Sequence, residues 1–165
     1  MATPARAEVS SWSSVGGGAS WLSAHGSGYK LKPTMQLDMG VGSSPSKPAI
    51  VGGILRTTTY FGEGTDLTLA ARAATRGFVT GDWGLALDAG GYARWWGDNS
   101  FGPTGTLHLG MPFGFTLSVQ GAVGSNDQRV FGAMFGIDLL RLTVYRLGGE
   151  NLWVNPRPAW RPDER

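Results

Sequence analysis

The stretch GDWGLALDAGGYARWW, at residues 81–96, decides the predicted fold. One set of alternate positions is apolar or aromatic, and it consists of Trp83, Leu85, Leu87, Ala89, Gly91, Ala93 and Trp95. The other set carries charged and small residues, and it consists of Asp82, Gly84, Ala86, Asp88, Gly90, Tyr92, Arg94 and Trp96. Because successive side chains of a β-strand point to opposite faces, this stretch predicts a strand with one apolar and one polar face.

The same period of two recurs along most of the chain. Apolar residues alternate with polar or small ones in the segments 30–42, 65–76, 101–111, 113–123 and 129–139. Clusters of Gly, Pro, Asn, Asp and Ser separate these segments, and such residues favour turns. No segment has the 3.6-residue periodicity of an amphipathic helix. The chain is therefore expected to form about eight short strands joined by short connections.

Two regions depart from regular alternation. Segments 10–24 and 49–61 contain Gly16-Gly17-Gly18 and Gly52-Gly53, and glycines inside a strand often mark a bulge or a tight bend. In residues 129–145 the apolar set changes parity at Leu139-Leu140, which predicts a β-bulge in a continuing strand.

The composition excludes several classes of protein. The 165 residues include 27 glycines and no cysteine, and 16% of them are charged. The absence of cysteine excludes a disulfide scaffold, a thiolate zinc site and a cysteine nucleophile, and the glycines lack the three-residue period of collagen. A hydrophobic content of 41% is too high for a charged disordered chain. The net charge of +2 is too small to indicate a nucleic-acid partner.

The chain is expected to hold one domain with two polar tails. Residues 1–8 form the N-terminal tail, residues 9–147 the barrel domain and residues 148–165 the C-terminal tail. The chain contains no run of 18 apolar residues, so no transmembrane helix is predicted. Residues 1–9 also lack the apolar stretch of a secretory signal, so a signal peptide is not visible in this sequence.

Alternation by itself does not say which face of the strands is buried. Apolar side chains point inward in a soluble barrel or sandwich, whereas in a transmembrane barrel they face lipid and polar side chains fill the lumen. The transmembrane arrangement is favoured because the polar face has small residues and few charges of both signs, whereas water-exposed surfaces are rich in Lys and Glu. The alternative is a soluble barrel whose apolar interior binds a small hydrophobic ligand.

The parity of each segment assigns candidate residues to the two faces. The residues expected to face lipid are Met35, Leu37, Leu67, Leu69, Leu85, Leu87, Leu107, Leu109, Phe115, Leu117 and Phe135. The residues expected to form aromatic girdles at the membrane boundary are Trp83, Trp95 and Phe113, within a wider set of segment-end aromatics that includes Trp12, Trp21, Tyr60, Phe61 and Trp96. The residues expected to form a polar network in the lumen are Asp38, Asp66, Arg72, Asp88, Arg94, His108 and Asp138.

The clearest alternating segments are residues 81–96 and residues 102–121, GPTGTLHLGMPFGFTLSVQG. Through such segments the chain resembles the small eight-stranded outer-membrane β-barrels, which are the class of outer membrane proteins A and X. The resemblance covers residues 9–147. It implies an antiparallel up-and-down barrel in the outer membrane, with both chain ends on the periplasmic side. The chain departs from that class in having a polar tail after Tyr145-Arg146-Leu147, where such barrels often end on an aromatic residue, and in having no long outer loop.

Few residues indicate catalytic or metal chemistry. One alternative is a hydrolase site in which His25 activates the Ser27 hydroxyl and Glu63 orients the histidine. Some small outer-membrane barrels that deacylate lipid A are built in this way. The matching motif of that family lies late in the chain, whereas His25 lies in the first connection, so a polar loop is the favoured interpretation. Two histidines without cysteine predict no metal site, and no cofactor is expected.

The C-terminal tail differs in composition from the rest of the chain. Its three prolines exclude a helix, and Trp153 and Trp160 are unfavourable to expose to water. The tail is either a disordered extension or a segment that docks through these tryptophans, on a partner or back on the barrel. The expected function is a non-enzymatic structural or interaction subunit of the outer membrane, with lipid and other envelope proteins as its partners.

Overall fold

Eight antiparallel strands close into a barrel in the computed structural model, which describes residues 9–23, 28–80, 82–95, 99–125 and 127–140. The strands are β1 (Ser10–Ser23), β2 (Lys30–Gly42), β3 (Ala49–Tyr60), β4 (Gly64–Thr75), β5 (Gly84–Trp95), β6 (Ser100–Gly110), β7 (Phe115–Val123) and β8 (Arg129–Asp138). The prediction of an all-β, up-and-down antiparallel barrel of about eight strands is confirmed.

Each strand pairs with its neighbours in sequence, and β8 pairs with β1. Closure leaves no unpaired strand edge. We call the end of the barrel where β1 begins and β8 ends the start rim, and the opposite end the far rim. The start rim is where β2, β4 and β6 end, and it carries the connections 43–48 and 111–114. The far rim is where β1, β3, β5 and β7 end, and it carries the connection 61–63.

One short helix, α1 (Arg76–Thr80), follows β4 at the start rim. None of the helices in the described ranges is long and apolar enough to cross a membrane. The helix places Phe78 against inward-facing residues of the barrel, among them Trp12, Ile50 and Ile54. These apolar side chains close the interior at the start rim.

Two of the segment-end aromatics predicted to lie in the exterior girdles point into the barrel interior instead, so that prediction was wrong for them. Trp12 and Tyr60 are only 3% and 0% exposed, because they occupy inward positions of β1 and β3. Trp12 packs in the apolar cluster at the start rim, and Tyr60 packs with Leu22 and Tyr92 toward the far rim. Both rings therefore fill the interior and do not belong to an exterior girdle. Trp96 lies outside the described residues.

The end of β8 also differs from expectation. The predicted strand continued through a bulge at Leu139-Leu140, but β8 ends at Asp138 and these two leucines adopt a helical conformation. The Asp138 carboxylate accepts a hydrogen bond from the backbone N–H of Leu140 at 3.0 Å. Such a local bond from an Asp side chain to the following backbone favours a turn over a continued strand. Residues 141–145 lie outside the described part of the chain.

Glycine at inward positions permits the narrow interior. A Cβ built on Gly52 would lie 2.1 Å from the backbone oxygen of Val41, and one built on Gly90 would lie 2.2 Å from that of Leu69. Neither backbone oxygen can move without disturbing the strand ladder. Adjacent strands approach each other closely at these positions because no side chain is present there.

Replacement of Gly90 by Ala is expected to destabilise the barrel by about 1–3 kcal/mol, the usual cost of overpacking a filled interior. The matched control is Gly53→Ala on the outward side of β3, where the nearest atom to the new Cβ, the backbone oxygen of Ala70, is 4.0 Å away. Equilibrium unfolding in urea, followed by tryptophan fluorescence, measures both. Equal unfolding midpoints for the two variants would contradict the assignment of Gly90 to a crowded position.

Candidate functional site

Five ionisable side chains meet in the middle of the barrel interior. They are Asp38 on β2, Arg56 on β3, Arg72 on β4, Asp88 on β5 and His108 on β6, and we call them the central cluster. The strand register places Asp38 directly opposite Arg56 and Arg72 directly opposite Asp88. None of the five is more than 4% exposed. Each arginine therefore has a carboxylate as its cross-strand neighbour in a site removed from water.

The two cross-strand pairs are both bidentate. Arg56 donates from Nε to Asp38 Oδ1 at 2.7 Å and from Nη2 to Asp38 Oδ2 at 2.8 Å. Arg72 donates in the same way to Asp88, at 2.7 Å and 2.8 Å. The pairs are also joined to each other, since Arg56 Nη2 lies 2.5 Å from Asp88 Oδ2 and Arg72 Nη2 lies 3.2 Å from Asp38 Oδ2. Four charged groups thus form one closed ring of hydrogen bonds.

The central cluster balances its own charge. Two guanidinium groups and two carboxylates sum to zero when the His108 ring is neutral. Burial of an unpaired charge is strongly unfavourable, whereas bidentate pairing of Arg with a carboxylate compensates for much of the lost hydration. The ring of hydrogen bonds therefore allows charged side chains to occupy the barrel interior, because each charge has a partner of opposite sign.

His108 completes the central cluster from β6. Its Nε2 atom lies 2.8 Å from Asp88 Oδ2, 2.9 Å from Arg56 Nη2 and 3.2 Å from Arg72 Nη2. With the proton on Nε2 the ring donates to Asp88, and with the proton on Nδ1 the same atom accepts from the arginines. In either neutral tautomer, Nε2 has a partner. The ring also packs edge-on against Phe78, with 6.1 Å between centroids.

The central cluster contains a set of potential metal ligands that the arginines already use. One ligand atom from each of Asp38, Asp88 and His108 lies within 4.8 Å of the other two. Carboxylates and imidazole are common metal ligands. Arg56 and Arg72, however, donate to these same carboxylates and bring two positive charges into the cluster. A cation would have to displace both guanidinium groups, so this donor set does not fit a metal centre.

A second buried ion pair lies closer to the far rim. Asp66 and Arg94 face each other across β4 and β5, and Arg94 Nε lies 2.6 Å from Asp66 Oδ1. Arg94 Nη1 donates to Gln128 Oε1 at 3.0 Å. The guanidinium carbon lies 5.0 Å from the Tyr60 ring centroid and 6.0 Å from that of Tyr92, within the range of cation–π attraction. The Arg94 guanidinium group is thus hydrogen-bonded at its edge and contacted by aromatic rings. This arrangement indicates a structural role.

Side chains fill the described interior from one rim to the other. An apolar cluster lies at the start rim, the central cluster follows, and the Asp66–Arg94 pair with its surrounding rings lies toward the far rim. An interior cavity beside Gln36, His108 and Ser118 measures about 10 Å³, which is room for at most one water molecule. An interior held together by paired charges and packed rings is suited to rigidity.

The structure places all residues of the predicted lumen network on the inward side, and each is at most 6% exposed. Four of them meet in the central cluster. Asp66 and Arg94 form the second pair. Asp138 lies apart at the start rim, where it caps the turn after β8.

The residues predicted to face lipid lie on the outward side of their strands, and the structure leaves none of them buried. Leu69 is 72% exposed and Phe135 is 51% exposed. The aromatics Trp83, Trp95 and Phe113 are also exposed, at 64%, 53% and 83%. Trp83 and Phe113 lie at the start rim, and Trp95 lies at the far rim.

The sequence pattern did not predict Arg56, which forms the bidentate pair with Asp38 in the central cluster. Its segment has the apolar residues Ile50 and Ile54 on the same face, and Gly52-Gly53 interrupts the alternation. The pattern that could have identified it is the alternation of Arg56, Thr58 and Tyr60, which all lie on the inward face of β3. Three alternate positions are too few to identify this face as the polar one, because the apolar residues Ile50 and Ile54 lie on the same face.

The components of the hydrolase alternative are not brought together in the described structure. His25 and Ser27 lie outside the described residues. Glu63 lies in the connection 61–63 and forms an ion pair with Lys32 Nζ at 2.6 Å. The hydrogen bond from Lys32 lowers the pKa of the Glu63 carboxyl below its ordinary value. The one histidine among the described residues, His108, is held in the central cluster.

Replacement of Arg56 by Met is expected to lower the free energy of unfolding by about 3–5 kcal/mol, because it leaves a buried carboxylate short of its main partner. The double variant Asp38→Asn, Arg56→Met is expected to lose less than the sum of the two single losses, because the residues belong to one network. Urea unfolding measures all three.

The matched control for this prediction is Lys32→Met, which breaks the partly exposed pair with Glu63. Its expected loss is at most about 1 kcal/mol. A loss for Arg56→Met no larger than that for Lys32→Met would contradict the central role of the interior arginine.

No protein-family model, no curated protein and no solved structure matches this chain. Its function is therefore inferred from two features of the described residues. One is the filled, charge-balanced interior, and the other is the apolar outer surface.

Proposed function

We propose that this protein is a membrane-spanning β-barrel of the outer membrane, which serves as a structural or interaction subunit of the cell envelope without catalytic activity and without a pore. The observation that carries the proposal is the direction of the two faces. Apolar side chains point outward on the strands, and every charged residue of the described strands except Arg129 occupies an inward position. Soluble barrels have the reverse arrangement.

The apolar surface extends around the whole barrel. Every strand contributes at least one exposed large apolar residue, as in the set Trp21, Met35, Leu55, Leu69, Leu87, Leu107, Leu117 and Phe135. Arg129, at the first position of β8, is the only charged residue among the outward positions of the eight strands as described. Monomeric soluble proteins rarely expose an apolar surface of this extent. Contact with lipid hydrocarbon accounts for it directly.

The length of the strands supports the same proposal. The shortest strand, β7, has 9 residues and the longest, β1, has 14. A tilted strand of about 9–11 residues is long enough to cross the hydrocarbon core of a bilayer. The exposed aromatics at both rims lie where amphipathic rings favour the boundary between hydrocarbon and water.

The filled interior favours a structural role over transport or ligand binding. A pore needs a continuous polar passage, and a soluble ligand-binding barrel needs an apolar cavity. The described interior instead holds two sets of ion pairs and a cavity of about 10 Å³. No contact among the described residues favours the hydrolase alternative over this role.

The interaction part of the proposal comes from the sequence. Trp153 and Trp160 lie in the C-terminal tail, outside the described residues, and we infer that they dock on another protein of the envelope. Tryptophan is enriched at protein interfaces because its large ring is favourably buried while its N–H group donates a hydrogen bond.

Replacement of Leu69 by Arg is expected to block or weaken membrane insertion. Leu69 lies in the middle of β4, and an arginine facing lipid near the bilayer midplane costs about 2–4 kcal/mol. The matched control is Ser46→Arg, which adds the same charge at an exposed position of the connection 43–48. Membrane fractionation and heat-modifiable migration in detergent gels measure insertion. Recovery of the wild-type protein in the aqueous fraction without detergent would overturn the proposal.

Replacement of both Trp153 and Trp160 by Ala is expected to reduce recovery of envelope proteins in a pull-down from solubilised membranes, while heat-modifiable migration stays unchanged. The control variant is Trp83→Ala, which removes an exposed tryptophan from the start rim. Unchanged recovery with the double variant would show that these tryptophans do not dock a partner.

A further inference from the structure

A groove crosses the outer surface of β6, β7 and β8 near the far rim. Its volume is about 420 Å³, and the residues that shape it include Tyr29, Pro103, Gly105, Gly121, Val123 and Arg129. Apart from Tyr29 and Arg129, these residues are small or apolar. The groove therefore combines an apolar floor with two polar side chains.

The floor of the groove is made by two glycines that face each other across β6 and β7. Gly105 lies directly opposite Gly121 in the strand register. A Cβ built on Gly121 would meet no atom within 4 Å, and one built on Gly105 would meet only the backbone oxygen of Asp88, at 3.6 Å. The packing of the barrel therefore does not require glycine at either position, in contrast to Gly90. Glycine in a strand also marks places where another molecule approaches the backbone closely.

Arg129 lies at the end of this groove. It is exposed, and no carboxylate of the described residues forms an ion pair with it. Tyr29 is 58% exposed and belongs to the same groove. At the boundary of a membrane, an arginine on the lipid side extends its guanidinium group toward the headgroups. An anionic group there would accept hydrogen bonds from this guanidinium group, which has no carboxylate partner among the described residues.

We propose that this groove binds a phosphate-bearing lipid of the surrounding leaflet, with an acyl chain over Gly105 and Gly121 and the phosphate against Arg129. The phosphate accepts from the guanidinium group, and the Tyr29 hydroxyl supplies a further donor at the same rim. The inference rests on the proposed function, since it requires the barrel to lie in a membrane.

Charge complementarity favours a lipid over a second copy of the chain. The outward positions of the described strands hold no Asp or Glu, so a second barrel packed on this face would offer no strand carboxylate to Arg129. A phosphate-bearing lipid supplies both the missing negative charge and a hydrocarbon chain that fits the apolar floor.

The test uses the full chain reconstituted in vesicles of equal parts phosphatidylglycerol and phosphatidylcholine. Heat-modifiable migration first establishes that each variant is inserted and folded. Native mass spectrometry after mild detergent extraction then counts the lipids retained on the protein. We expect the wild-type barrel to retain phosphatidylglycerol in preference to phosphatidylcholine. Arg129→Gln should reduce this retention about fivefold, the factor that corresponds to about 1 kcal/mol for one basic residue near an anionic membrane.

Filling the groove tests the role of its floor. Gly121→Leu places a side chain in the path of the acyl chain and should also reduce retention of phosphatidylglycerol, and Gly105→Leu serves as a second variant if the first does not fold. The matched controls are Lys30→Gln, which removes a charge at the far rim outside the groove, and Gly53→Leu, which adds a leucine on the outward side of β3. Both controls should retain lipid as the wild type does.

The outcomes separate this inference from the proposed function. Failure of the wild-type chain to insert would overturn the proposed function. An inserted barrel that retains both lipids equally, or whose retention is unchanged in Arg129→Gln, would overturn the groove alone. Loss with Arg129→Gln but not with either leucine variant would indicate general surface attraction, and a dimer lost in Gly121→Leu would indicate a second copy as the occupant. Each of these two results would also overturn the inference.

Discussion

Cross-strand pairing of buried charges constrains much of this barrel. Asp38 with Arg56 and Arg72 with Asp88 are direct neighbours in the strand ladders, and their side chains form one ring of hydrogen bonds. A shift of one residue in any of these strands would turn its charge outward and bring its apolar residues inside. The ring therefore favours a single register from β2 to β5, and that register determines which face of each strand is apolar.

The character of the outer surface follows from this interior. Once the charged side chains are paired inside, the outward positions are left with apolar and small residues and with Arg129. Glycine then serves two separate purposes. At Gly90 its missing side chain lets two strands approach each other, whereas at Gly121 it leaves open space on the outer surface. The first is a requirement of the fold, and the second is available for a ligand.

In our proposal, the packed interior leaves the outer surface and the rims as the functional parts of the barrel. Phe78 and its neighbours close one end, and Tyr60 and Tyr92 occupy the interior toward the other. A barrel of this kind acts through what it contacts, which in our proposal is lipid along its sides and envelope proteins at its tail. Among the outward positions of the described strands, Arg129 is the one charged residue, and it lines the groove near the far rim.

Local alternation allowed much of the architecture to be predicted from the sequence. Asp88 and Arg94 are an even number of residues apart in one strand, so their common face follows from the geometry of a single extended segment. The sequence did not place Arg56, Trp12 or Tyr60 inside the barrel, because glycines or nearby apolar residues obscured the parity of β1 and β3.

The tertiary structure alone decided which residues meet. Strand register and barrel closure bring together residues as distant in the chain as Arg56 and His108, and both depend on all eight strands at once. The side-chain hydrogen bond at Asp138, which favours a turn after β8, is likewise not visible in a repeating sequence pattern. Alternation is a property of one strand, whereas pairing is a property of the closed sheet.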